Sequence, residues 1–157
     1  GLQRSAELGA QGVPLYVVDG ARAIPGAVPP SDLLRAIKQA ADSPRRLCQW
    51  YVERANAHDV KGLGEMLASD VDMFGGPCDL AGLLDFFASF PEVHWEVTSE
   101  YTPVLGDADT VGFAYTRTWR GPDGQRLAAD AAEEITFRGG RVARIAYTRG
   151  PSEPRLA

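Results

Sequence analysis

Apolar residues recur with two periods along this chain, and the change falls at Pro91. Before it they follow helical spacing, apart from a short start. Val13 to Val18 is an apolar, partly β-branched run, Asp19-Gly20 is a strong turn signal, and Ala21 to Ile24 forms the returning strand closed by Pro25-Gly26. Pro29-Pro30 precedes Ser31, a good helix cap, and Leu33, Leu34, Ile37 and Ala41 follow at helical spacing. Asp42-Ser43-Pro44 marks a seam, with Ser43 capping a new helix and Pro44 at its first position. That helix runs to about Ala57 with Leu47, Tyr51 and Ala55 on one stripe. Asp59 caps a second, carrying Leu63, Met66 and Leu67, and Val71 to Phe74 is a short extended piece. Asp79 caps a third, with Leu80, Leu83, Leu84 and Phe87 on its buried face.

After Pro91 the period is two. Val93, Trp95 and Val97 alternate with polar neighbours, and Val111 to Trp119, Leu127 to Phe137 and Arg141 to Thr148 are longer strands. Turns fall at Gly121-Pro122-Asp123-Gly124 and Gly139-Gly140. Three helices followed by an antiparallel meander predict an α+β domain over residues 43–150. It follows a strand–turn–strand–helix appendage over 1–42 and precedes a frayed tail, 151–157. The appendage is too small to bury itself and must dock on the domain, a partner or a missing half.

Composition narrows the function classes. Of 157 residues, 45% are hydrophobic and 24% charged, enough for a core without staples. Sixteen basic against 21 acidic residues give a net charge of -5, which disfavours binding to nucleic acid or an anionic membrane. No apolar run approaches the roughly 20 residues of a membrane helix. Cys48 and Cys78 form neither a CxxC nor a disulfide framework, so the expected location is cytoplasmic. His58 and His94 are the only histidines, too few and too isolated for a metal site, and no glycine-rich phosphate loop follows a strand. Neither a metal nor a cofactor is expected. Gly1 in place of a methionine implies a processed, tagged or excised piece.

Residues 45–149 resemble the nuclear transport factor 2-like fold, particularly its SnoaL-like polyketide cyclase branch. The likeness rests on Ala55-Asn56-Ala57-His58-Asp59, Met66-Leu67-Ala68-Ser69-Asp70-Val71 and His94-Trp95-Glu96-Val97. Thr118-Trp119-Arg120-Gly121-Pro122 and Phe137-Arg138-Gly139-Gly140-Arg141-Val142 extend it. It implies a cone-shaped α+β barrel, three helices on a curved antiparallel sheet around an apolar pocket, and a homodimer. Family members include isomerases, cyclases, epoxide hydrolases, dehydratases and binding proteins without activity. Residues 5–41 resemble the C-terminal end of a thioredoxin-like oxidoreductase of the disulfide-bond A type, through Gly12-Val13-Pro14, Tyr16-Val17-Val18-Asp19-Gly20 and Ile24-Pro25-Gly26-Ala27. In that family the proline matching Pro14 is cis and faces the redox pair. The half bearing CxxC is not present here, so this chain alone is expected to have no redox activity.

The hairpins nominate the chemistry. A two-residue turn at Gly139-Gly140 sets Phe137 opposite Val142, Ile135 opposite Arg144 and Glu133 opposite Ala146. Glu133 then shares a face with Ile135 and Phe137. In an apolar pocket its pKa would rise and suit it to acid–base work; the alternative is an ion pair with Arg144 or Arg117. Alignment with the steroid isomerase branch places Tyr51 on that branch's oxyanion-hole tyrosine and Glu133 on its buried acidic donor. The branch's general base falls at Gly75, with Asp72 as the nearest substitute. Tyr51 is otherwise a core aromatic and Asp72 a solvated loop residue. Phe113, Tyr115, Arg117 and Trp119 share one parity and, with Trp95 and Arg144, are the expected substrate-binding set; otherwise the arginines stripe an exposed face. In the epoxide hydrolase branch an Arg and two Asp activate water, but Thr116-Arg117-Thr118-Trp119 has no matching carboxylate. Two functions compete: a small-molecule enzyme of isomerase, cyclase or hydrolase type acting on a hydrophobic substrate through Glu133, and a non-catalytic ligand-binding or dimerisation module fused to an oxidoreductase.

Overall fold

The computed structural model describes residues 15–18, 22–25, 28–41 and 43–157. Strands β1 (Leu15–Val18) and β2 (Arg22–Pro25) pair antiparallel, Leu15 against Pro25, and helix α1 (Pro30–Ala41) follows. Pro14, the Asp19-Gly20 turn and the Gly26-Ala27 pair, which carry part of the oxidoreductase resemblance, lie outside the described residues.

The domain then opens with three capped helices. Helix α2 (Pro44–Asn56) starts at Ser43, whose hydroxyl accepts from the Arg46 amide. Helix α3 (Val60–Met66) starts at Asp59, which accepts from the Gly62 amide at 2.9 Å. Gly62 leaves room for this cap, since a Cβ there would meet the capping carboxylate and make it shift. Helix α4 (Leu80–Ser89) starts at Asp79, which accepts from the Gly82 amide at 2.9 Å. Each cap satisfies one of the donors a helix start leaves unpaired.

One eight-stranded sheet curves over α2 to α4. Its strands are β3 (Leu67–Met73), β4 (Gly76–Pro77), β5 (His94–Val97) and β6 (Thr102–Val104). The long strands β7 (Asp107–Arg120), β8 (Arg126–Arg138) and β9 (Arg141–Arg149) form its body, and β10 (Arg155–Leu156) closes the chain. The order is β4-β3-β9-β8-β7-β5, with β6 on β7 and β10 on β8. All pairs are antiparallel except β3 with β9. The core lies between sheet and helices, where Cys48 and Leu63 meet Tyr115, Ile135, Val142 and Ile145. Ile135 is fully buried, and truncating it to Ala costs about 2–5 kcal/mol.

Four local expectations are corrected. Phe137 does face Val142, but a bulge then leaves Ala143 without a partner, so Thr136 faces Arg144 and Ile135 faces Ile145. Leu67 is the first residue of β3 and does not continue the helical stripe. Helix α4 turns Leu83, Phe86 and Phe87 inward while Leu80 and Leu84 stay half exposed, because the aromatic side chains claim the space under the sheet. The tail is not frayed: Arg155 and Leu156 pair with Ala128 and Leu127, and Arg155 bonds to Asp130 at 2.9 Å.

Candidate active site

A cavity of about 300 Å³ opens between α2, α4 and the concave face of the sheet. Strand alternation determines what enters it. In β7, Phe113, Tyr115, Arg117 and Trp119 all point inward, and in β8 Glu133 lies between inward Ala131 and Ile135. Tyr51, Tyr115, Arg117, Glu133 and Trp95 line the cavity together. The sequence-predicted set thus converges in part.

Glu133 is 5% exposed and lies directly across from Phe113 on one side and Tyr147 on the other. The Tyr115 hydroxyl donates to its Oε2 at 3.0 Å. Burial pushes the Glu133 carboxyl up to about 7, although the Tyr115 bond and the Arg117 charge both pull it down. Burial, and then the charge of Glu133, hold the Tyr51 and Tyr115 hydroxyls well above the usual phenol range, so both remain protonated donors. A carboxyl that shares its proton near neutrality, flanked by two neutral phenols in an apolar cavity, can take or give a proton.

The motif Ala55-Asn56-Ala57-His58-Asp59 serves this wall structurally. The Asn56 amide donates to the Trp95 carbonyl at 2.9 Å and accepts from the Trp95 amide at 2.8 Å. His58 Nε2 donates to the Val93 carbonyl at 2.7 Å. These bonds tie β5 to the end of α2 and set Trp95 against Phe86, with ring centroids 5.8 Å apart.

Four of the predicted residues do not line the cavity. Asp72 accepts from the Gly75 amide at 2.8 Å and shapes the turn after β3. Phe113 is buried in the core against Tyr101 and Tyr115. Trp119 packs on Phe90 in a second cluster with Val93 and Ala129. Arg144 is exposed, because the bulge at Ala143 reverses its side. Neither expected ion pair of Glu133 occurs among the described residues.

Sequence reasoning missed Met73, Phe74, Cys78, Phe86 and Tyr147 as lining residues. Phe74 and Tyr147 stack with centroids 4.2 Å apart and are the partly exposed aromatics of the wall. The bulge that carries Tyr147 to the cavity depends on the partner strand, and nothing local marked Phe74, which sits at a positive φ of 56°. Among the described residues no three His, Cys, Asp or Glu side chains gather as a metal site would require. Nor is any described helix long and apolar enough to cross a membrane.

The model of the SnoaL-like domain matches residues 49–145, well over half of the chain. No curated protein matches the sequence. Among solved structures, a SnoaL-like polyketide cyclase from Agrobacterium tumefaciens is 17% identical, with a TM-score of 0.56, covering 71% of this chain and 92% of its own. Delta 5-3-ketosteroid isomerase from Mycobacterium sp. is 15% identical, with a TM-score of 0.57, covering 69% and 94%. A Mycobacterium tuberculosis protein in complex with estradiol-17beta-hemisuccinate is 15% identical, with a TM-score of 0.57, covering 69% and 95%. At these identities the likeness establishes the fold.

Proposed function

The chain belongs to the SnoaL-like domain family, and we propose that it is a small-molecule enzyme whose Glu133 performs acid–base chemistry on a hydrophobic substrate. One observation carries this: a carboxyl 5% exposed, held near neutrality, faces an open apolar cavity. An aromatic core that filled the cone would favour a binding or dimerisation module instead. Here about 300 Å³ is open, the low end of ligand-pocket sizes. Solved structures of the same fold include a cyclase, a steroid isomerase and a protein holding a steroid ester, which supports an apolar substrate.

The mechanism follows from the environment. With its proton lost, Glu133 is a carboxylate poorly solvated by water and bonded, among the described residues, to Tyr115, so it takes a proton from a substrate C–H or bound water readily. Tyr51 stays protonated and can donate a hydrogen bond to a developing oxyanion, and the Tyr115 proton, bonded to the Glu133 carboxylate, becomes free to join it once Glu133 has taken a proton. The protonated carboxyl then returns the proton at a second position, which completes an isomerisation or ring closure.

Nitrobenzisoxazole tests this without knowledge of the natural substrate. Its ring opens to a cyanophenolate when a base removes the single ring proton. Wild-type protein is expected to accelerate the opening with a rate that rises through pH about 7. Glu133→Gln should lose the acceleration while remaining folded, with a melting temperature no lower than that of the wild type. A rate unchanged in the folded variant removes Glu133 from the chemistry and leaves the cavity as a binding module.

A further inference from the structure

Arg117 is a buried cation on the cavity wall. It stands on β7 between inward Tyr115 and Trp119, lines the cavity and is 8% exposed. Its Nε has no hydrogen-bond partner among the described residues. It makes no ion pair among the described residues, Glu133 included. Three rings surround it: the guanidinium carbon lies 4.5 Å from the centroid of Phe90, 5.4 Å from Trp119 and 5.9 Å from Phe86.

Those rings offset part of the cost of removing the charge from water, but they accept no conventional hydrogen bond. A guanidinium keeps its charge at any ordinary pH and carries five donors in a planar fork. Buried donors of this kind are normally satisfied, and the Arg117 Nε belongs to a side chain that lines a cavity able to admit an acceptor. The fork matches the two oxygens of a carboxylate.

We propose that Arg117 is an anion subsite in the cavity, and that the ligand is a flat apolar molecule bearing a carboxylate. The carboxylate pairs with Arg117, and the apolar body lies along the wall formed by Phe86, Phe87 and Trp95. This rests on the cavity being a small-molecule site. It does not require Glu133 to act as a base, and it explains why a cation is kept beside a carboxyl that it does not pair with.

Calorimetry with naphthalene carboxylate and naphthalene carboxamide tests it, since the two probes share a shape and differ in charge. Wild-type protein should bind the carboxylate about tenfold more tightly or better, the gain typical of charge-assisted bonds. Arg117→Met should remove that preference, with carboxylate affinity falling about tenfold more than carboxamide affinity. Arg117→Gln should do the same if the Met variant fails to fold, and the wild-type comparison needs no variant. Equal affinities for the two probes overturn the anion subsite and leave the cavity reading standing. A preference that survives in the folded Arg117 variants overturns it as well. Failure of both probes to bind overturns the cavity reading and this inference together.

Discussion

Replacing Glu133 with Gln should stabilise the protein in alkaline solution. The carboxyl of Glu133 is raised from an ordinary 4.5 to about 7 by burial, a rise worth roughly 3 kcal/mol at about 1.4 kcal/mol per pKa unit. Because the folded value lies above the unfolded one, folding favours the proton. The stability that this proton contributes is complete below about 4.5 and is lost as pH rises through about 7. Gln keeps the shape, still accepts from Tyr115 and has no charge to bury. The assay is urea unfolding of both proteins across that window, read as the difference between them. Glu92 and Asp130 titrate in the opposite sense, each held below the usual carboxylate range by its bond to Arg120 or Arg155, but both are present in the two proteins and cancel. The variant should gain on the wild type by up to roughly 3 kcal/mol between acid and alkaline solution. A difference that stays flat with pH would show that Glu133 ionises in the folded protein as it does in the unfolded chain, and the argument for a perturbed carboxyl would fail.

Two further outcomes follow. Tyr115→Phe removes the bond that pulls the Glu133 carboxyl down, so the midpoint of the nitrobenzisoxazole pH–rate profile should move above about 7; an unmoved or lowered midpoint contradicts the 3.0 Å contact. Asp59→Ala removes the cap of α3 and should cost about 1 kcal/mol in thermal unfolding, whereas a loss within measurement error would mean that water caps the Gly62 amide equally well.

The features visible in the sequence were those set by short-range chemistry. Ser43, Asp59 and Asp79 cap helices because a side-chain oxygen three residues before an amide can reach it, whatever lies around the helix. The inward set of β7 and β8 followed from period-two alternation, and so did the burial of Glu133 among apolar neighbours. The hairpin turn at Gly139-Gly140 fitted the positive φ of both glycines. The features that stayed hidden depend on what lies opposite. A bulge is one residue too many against a partner strand, so the reversal at Ala143 that turns Arg144 outward and brings Tyr147 to Glu133 is not a periodic feature. The parallel pairing of β3 with β9 joins residues more than 70 positions apart, such as Asp72 and Arg144, and left no local mark. Helix α4 carries apolar residues on most of its surface, so its stripe did not decide whether Leu84 or Phe86 would turn inward.

The central claim is that an open apolar cavity holds a carboxyl poised near neutrality. Carbon-detected magnetic resonance of protein labelled at the glutamate carboxyl carbon measures it directly. One resonance should titrate at about 7, and it should vanish in Glu133→Gln. If every glutamate resonance titrates in the ordinary range, Glu133 is solvated and unperturbed, and the proposed acid–base chemistry has no basis.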